Sequence, residues 1–286
     1  MKKSRRILAL AIAALMLLSL CACGREESFE TRLKKATDEM NELQSQHLDM
    51  VMDLGMELTV MGKSQNLDMT MNYSIDTQKD PARARMEIEM SAMGTSQKIL
   101  GYTETIDGQI CVYLSMDGGK HWEKQSAETS GLQIPADTNE VTQLFVKNAE
   151  HFEKTGTETI NGAAATVYSG VMGGEYVKEL MASTGMGSAL GESFGLDGMD
   201  NAFDDLGDIP MTIAIDDHSG RILRYTIDMT SMMEKLMKNI LDATLNDQGL
   251  GGINLEIKIS RCLFTATLSQ FNSVPEIVIP GEARQT

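Results

Sequence analysis

From Leu48 to Val60 every even-numbered position is apolar (Leu48, Met50, Met52, Leu54, Met56, Leu58, Val60), while the odd ones include Asp49, Asp53, Glu57 and Thr59. That two-residue period is the mark of a strand with one wet face. It returns in Leu67, Met69, Met71, Tyr73 and Ile75, joined to the first run through Gly62. A long hairpin is predicted, in which even positions of the first strand share a face with odd positions of the second. Met86, Ile88 and Met90 alternate with Arg85, Glu87 and Glu89, and Ile110, Val112, Leu114 and Met116 alternate with polar or smaller neighbours. Asp107-Gly108 and Asp117-Gly118-Gly119 supply residues that tolerate positive φ at turn tips. An antiparallel meander over residues 47–125 follows, closed by His121 and by Trp122 as a core or rim plug.

Helical spacing appears at Leu33, Ala36, Met40 and Leu43, which places one helix between Ser28 and Gln46. Asp137 and Glu140 form an N-cap pair ahead of Val141, Leu144 and Phe145. Strands are expected around 151–171, broken at Asn161-Gly162. A short helix over 174–190 is weakened by Gly185, Gly187 and Gly191. Residues 191–208, with Glu192, Asp197, Asp200, Asp204, Asp205 and Asp208, read as an exposed acidic loop. Met211, Ile213 and Ile215, then Leu223, Tyr225, Ile227 and Met229, mark two strands about an Asp216-to-Gly220 turn. Ser231 and Glu234 make a capping box for a helix carrying Met232, Met233, Leu236, Met237, Ile240, Leu241 and Leu245. Ile253, Leu255, Ile257 and Ile259 open a last strand whose apolar phase changes before Phe264, which predicts a bulge. Pro275 to Pro280 is an edge strand or extended segment, and 281–286 a tail. With no run of βαβ units, the expected class is α+β: a curved antiparallel sheet, an incomplete barrel, covered by amphipathic helices.

The chain start changes the picture of location. Lys2, Lys3, Arg5 and Arg6 precede an uncharged stretch from Ile7 to Leu20, too short to span a bilayer at about 21 Å as a helix. Residues 1–22 therefore read as a cleaved secretory leader. Leu20-Cys21-Ala22-Cys23-Gly24 resembles the bacterial lipobox, with Cys23 as acceptor and Cys21 discarded. The resemblance implies a diacylglyceryl-cysteine at position 23, a tether over 23–27 and residence on the extracytoplasmic face of a bacterial membrane. The whole chain has 25 basic and 41 acidic residues, a net charge of −16, and losing the leader leaves 21 against 41, or −20. A field of that sign repels phosphate backbones, so no nucleic-acid partner is expected.

Candidate chemistry is sparse. Gly191-Glu192-Ser193-Phe194-Gly195 has G-x-S-x-G spacing, yet no strand pattern precedes it and only His218 lies downstream, so no enzyme is expected. The acidic loop lacks EF-hand spacing and reads as solvated charge. His47, His121, His151 and His218 show no metal-ligand spacing, and neither metal nor cofactor is called for. Cys111 and Cys262 are either a disulfide pair or two buried thiols. Methionine is the unusual component, with 22 residues. Soft thioethers favour Cu(I), but Met50, Met52, Met56, Met69, Met71, Met86, Met90, Met116, Met211 and Met229 fall on the expected apolar strand faces. They are better read as lining for a core or an apolar ligand cavity.

Lipobox, first amphipathic helix, long hairpins, a mid-chain helix and a terminal strand followed by Ile277-Val278-Ile279-Pro280 together resemble the LolA-like lipoproteins, including the LppX/LprG type. The resemblance spans 28–280 as one domain and brings no catalytic motif. It implies a strongly curved sheet closed by helices around an apolar cavity for lipid or acyl chains. The expected function is a noncatalytic, membrane-anchored binder or carrier of an apolar ligand. The alternative is a cell-envelope structural or sensing module with a self-filled core.

Overall fold

The computed structural model describes residues 27–126, 146, 148–174, 176, 206–247 and 255–285, with backbone alone over 242–247. The leader with Cys23, the 137–145 helix, almost all of 174–190 and the acidic loop up to residue 205 lie outside the described residues.

The strands are β1 (Ser45–Val60), β2 (Lys63–Lys79), β3 (Ala82–Ala92), β4 (Thr95–Ile106), β5 (Gln109–Ser115), β6 (Glu123–Ser126), β7 (Glu153–Ile160), β8 (Ala163–Met172), β9 (Ile209–Asp216), β10 (Ile222–Asp228) and β11 (Leu255–Ser269). They form a single sheet in the order β6-β5-β4-β3-β2-β1-β11-β10-β9-β8-β7, antiparallel throughout. The sheet is open, not closed into a barrel, with β6 and β7 at its edges. Helices α1 (Phe29–Asn41) and α2 (Thr230–Asp247) accompany it. Among the described residues no helix is long and apolar enough to cross a membrane.

The β1–β2 register follows the expected parity, with Met50 opposite Tyr73, Met52 opposite Met71 and Leu54 opposite Met69. The β1–β11 pairing slips between Gly55 and Met56, which face Arg261 and Ile259 respectively. Ser260 is the extra residue, and it marks where the apolar positions of β11 change from odd to even. Gly55 suits the site because a β-carbon there would lie 2.6 Å from Ser260 Oγ. A second irregularity falls between Ile222 and Arg224 in β10. It sends Leu223 to the opposite side, against Ile160, Ala165 and Ala214, and leaves Ile222 beside the helices. The expectation that Leu223, Tyr225 and Ile227 share a face is corrected accordingly.

Ser28 caps α1 by accepting from Thr31 N at 3.3 Å, and the helix buries Phe29, Leu33 and Ala36. The Phe29 ring stacks on Phe152 at 4.8 Å and meets Tyr168 at 4.7 Å. Arg32 then ties α1 to the sheet, donating to Tyr168 Oη and to Asp217 Oδ1, each at 3.0 Å. Helix α2 starts one residue before the expected Ser231. Asp228 Oδ1 accepts from Thr230 N at 3.0 Å and the Met229 carbonyl from Met233 N at 2.8 Å, so Asp228 marks the start in place of the expected capping box. Thr230 Oγ1 also accepts from Cys262 N at 2.9 Å, fastening α2 to β11.

Of the two alternatives for Pro275 to Pro280, the extended segment is the one found; it crosses the sheet face opposite the helices, where Ile277 N donates to Gln78 Oε1 at 2.7 Å and Arg83 donates to the Ile277 carbonyl at 3.0 Å. Residues 281–285 are held against the sheet where a tail was expected over 281–286. Ala283 is fully buried with Ile279, Tyr113 and Trp122, and Arg284 donates to Glu104 at 2.6 and 3.2 Å. A carboxylate as buried as Glu104 requires a charged partner, and the chain end supplies it. Trp122 plugs this cluster as expected, its indole donating to the Gly119 carbonyl at 3.0 Å. Cys111 and Cys262 are both free thiols. They lie five strand spacings apart and on opposite faces, which excludes the disulfide reading.

Candidate functional site: a charge-free methionine face

Carrying parity across the sheet through the observed registers gives one continuous face. It runs from Ile99 and Gly101 of β4 through Met86, Ile88 and Met90 of β3 to the odd positions of β2 and the even positions of β1. It continues through Phe264 and Ala266 of β11 and Tyr225 and Ile227 of β10 to Met211, Ile213 and Ile215 of β9 and Tyr168 of β8. Between Leu67 and Ile75 of β2 and between Leu48 and Val60 of β1 it bears no charge, the nearest being Lys63 and Lys79 at the two ends of β2. Asp49, Asp53, Asp68, Glu87, Glu89 and Lys98 fall on the other face by parity.

The face has two parts. Beneath α1 and α2, Tyr168, Met211, Ile213 and Ile215 pack with Phe29, Leu33, Met232 and Leu236 into a dry core. Met229 follows β10 and packs against this core. Over β1, β2 and β3 the packing is looser: Met50, Met52, Met56, Met69, Met71 and Met90 are half-buried. Met86 is buried because Gly101 opposite it leaves room for its side chain; a β-carbon at 101 would meet Met86 Cγ at 2.6 Å. Tyr73 Oη donates to Met71 Sδ at 3.6 Å, and the Tyr225 and Phe264 rings lie 6.1 Å apart. Burial raises the pKa of both Tyr73 and Tyr225, which keeps their hydroxyls neutral.

Met116 does not belong to the face. β5 ends at Ser115, and Met116 is 57% exposed in the following loop, where Asp117 accepts from Ser115 Oγ and from the backbone N–H groups of Lys120 and His121. The remaining nine of the ten expected methionines share the face or adjoin it. Sequence reasoning missed Ile99 and Ile222; the first lies in β4, whose Gly101 and flanking polar residues interrupt the apolar alternation. Depressions open where residues of this face meet their neighbours. One of about 200 Å³ is bounded by Glu27, Phe29, Phe152, Lys154 and Tyr168, and one of about 230 Å³ by Asp49, Met50, Asn72, Tyr73 and Glu87 among others. The half-buried methionines over β1–β3 make a wall.

Besides Tyr73 and Tyr225, groups on the opposite face have displaced equilibria. Burial disfavours charge on His47, but Asp76 at 2.7 Å and Asp49 at 3.0 Å outweigh it and raise its pKa. Burial likewise opposes ionisation of Glu104, yet bonds from Arg284 and Tyr113 hold its pKa below the ordinary 4.5. Tyr113, buried and bonded to Glu104 at 3.0 Å, is pushed up to about 12. These groups bind the C-terminal segment and adjacent strands together. No cluster of three or more metal-ligating side chains occurs among the described residues.

An open antiparallel sheet with two helices on one face defines an α+β protein of the class expected from the sequence. The chain belongs to the family of unknown function DUF6612, whose model matches residues 28–286. No curated protein matches it. Among solved structures it is similar to the lipoprotein LppX of Mycobacterium tuberculosis, with 14% identity, TM-score 0.40, and coverage of 87% of this chain and 98% of that one. LprF from Mycobacterium bovis gives 12% identity and TM-score 0.40, over 88% of this chain and 96% of that one. A putative outer membrane lipoprotein-sorting protein domain from Vibrio parahaemolyticus gives 11% identity and TM-score 0.21, over 85% and 93%.

Proposed function

We propose that the protein is a noncatalytic, extracytoplasmic lipoprotein, anchored through acylated Cys23, that binds or carries an apolar ligand such as a lipid acyl chain on its methionine face. The observation that carries this reading is the half-buried surface over β1–β3, on which Met50, Met52, Met56, Met69, Met71 and Met90 lie side by side on one face. Methionine suits the role, because its flexible, polarizable side chain repacks around ligands of differing shape. The packed core beneath α1 and α2 favours the rival reading, a structural or sensing module filled by its own side chains, for that half of the sheet.

Organic extraction and mass spectrometry of the protein purified from membranes test the proposal. Stoichiometric lipid beyond the N-terminal acyl groups supports it. Its absence, together with failure to bind a fluorescent acyl probe, sinks it in favour of the self-filled module. Cys23→Ala should abolish membrane retention while Cys21→Ala leaves it intact; equal retention of both variants removes the anchor assignment.

A further inference from the structure

The wall over β1–β3 carries a single polar side chain. From Leu48 to Val60 of β1, Leu67 to Ile75 of β2 and Ala84 to Ala92 of β3, every position on the methionine face is hydrocarbon or thioether except Tyr73. Tyr73 pairs directly with Met50 on one side and Ile88 on the other. Its hydroxyl reaches Met71 Sδ, donating at 3.6 Å, at the level where Met52, Met71 and Met90 face one another across the three strands. A thioether sulfur is a weak acceptor, so this donor is poorly satisfied by the protein itself. Phenylalanine would present nearly the same apolar area, and what tyrosine adds at this position is the donor. Burial raises its pKa above the ordinary 10.0, which keeps the proton on the oxygen.

The surroundings of that hydroxyl decide which acceptor suits it. An ionised carboxylate would meet no cation, because Lys63 and Lys79 stand at the ends of β2, about 34 and 20 Å from Tyr73 along the strand. A charge covered by thioethers without a partner is costly. An amide would bring an N–H group of its own, for which these strands offer only thioethers besides the Tyr73 oxygen. An ester carbonyl accepts one hydrogen bond and brings neither a charge nor a donor.

We infer that Tyr73 is the specificity-determining residue of the wall, its hydroxyl exchanging Met71 Sδ for the carbonyl oxygen of an esterified acyl chain whose carbons lie on Met52, Met71 and Met90. The inference rests on the reading of the wall as an apolar-ligand site, and narrows that ligand to a neutral ester. Only a hydrogen bond changes partner; no covalent bond forms or breaks. Removing the hydroxyl therefore weakens ligands that carry the carbonyl and spares plain hydrocarbon.

The test uses the full-length protein at one fixed concentration of dodecyl maltoside, so that competition by detergent cancels from every ratio. cis-Parinaric acid, its methyl ester and the hydrocarbon with the same polyene chain are titrated into the parent and Tyr73→Phe, with binding read by energy transfer from Trp122. At about pH 9 the acid is ionised while Tyr73 is not. Tyr73→Phe should weaken the ester about three- to tenfold, as expected for one neutral hydrogen bond, and change the hydrocarbon less than about twofold. The ionised acid should bind the parent at least about tenfold more weakly than the ester. Equal weakening of ester and hydrocarbon, or weakening of neither, overturns the role of Tyr73, and an ionised acid that binds as tightly as the ester overturns the neutral ligand. Binding of none of the three probes to the parent defeats the apolar-ligand reading itself; binding of all three with ratios unchanged by Tyr73→Phe defeats this inference alone. Infrared spectra of the ester labelled with carbon-13 at its carbonyl give a readout that a packing defect does not move. The carbonyl band should lie at lower wavenumber on the parent than on Tyr73→Phe, and coincident bands count against the hydrogen bond.

Discussion

Met52 and Met71 face each other across β1 and β2 at the centre of the wall, where a substitution reads out both burial and binding. Leucine at either position preserves volume and should cost less than about 1.5 kcal/mol while changing acyl-probe selectivity. Aspartate should cost about 1–3 kcal/mol, the range for burying an unpaired polar group in a protein, at the lower end because these positions are half-buried. Thermal unfolding of the four variants, paired with probe titration, measures both effects; wild-type melting of the aspartate variants would mean the wall is solvated. On the opposite face, Arg284→Ala should lower the melting temperature at neutral pH by leaving Glu104 with Tyr113 and Arg83 alone. Because the folded pKa of Glu104 lies below 4.5, its contribution is complete above that value and is lost as pH falls through the folded value. The melting difference between Arg284→Ala and the parent should therefore shrink below about pH 4. Neither Arg284 nor Ala283 was legible as a buried contact, since a chain end after Pro280 carries no periodicity, and Met116 was misplaced because alternation alone does not say where a strand stops.

Elements were more legible than contacts. The β1–β2 hairpin declared itself through its unbroken alternation and Gly62, and the phase change in β11 placed a bulge before Phe264, which the register puts at Ser260 opposite Gly55. What escaped was governed by neighbours. The β10 irregularity that turns Leu223 over has no signal in a strand that alternates on paper, and the start of α2 depends on Asp228 and on Thr230 being bonded to β11. Two substitutions test the element geometry. Met61→Asn gives the β1–β2 turn a residue suited to its φ of 51° and should stabilise the detergent-solubilised protein by about 1 kcal/mol. Gly170→Ala should destabilise it by about 1–3 kcal/mol. The added carbon would lie 2.5 Å from the His151 carbonyl oxygen and 2.6 Å from the Phe152 ring, so the backbone entering β7 would have to move. Chemical denaturation of both variants gives the comparison directly, and an unchanged midpoint for Gly170→Ala would contradict the close approach.

Over the whole molecule, the sheet joins the two ends of the sequence: β1 pairs with β11 from His47 opposite Ser269 to Val60 opposite Leu255. The strands β2 to β6 extend from one side of that seam and β10 to β7 from the other. A ribosome delivers the first wing early and the second late, yet the seam cannot close until the final strand is available. Contacts this distant in sequence form slowly, and β1 meanwhile presents an unpaired apolar edge to any other extended chain. Folding should thus be governed by arrival of residues 255–269 rather than by either wing, and a chain halted before Leu255 should aggregate or be degraded rather than persist as a half-sheet. In a pulse of synthesis, protease resistance of β1–β5 would then appear only after the last strand has emerged, which makes the C-terminal end of this protein the step on which its survival during biogenesis depends.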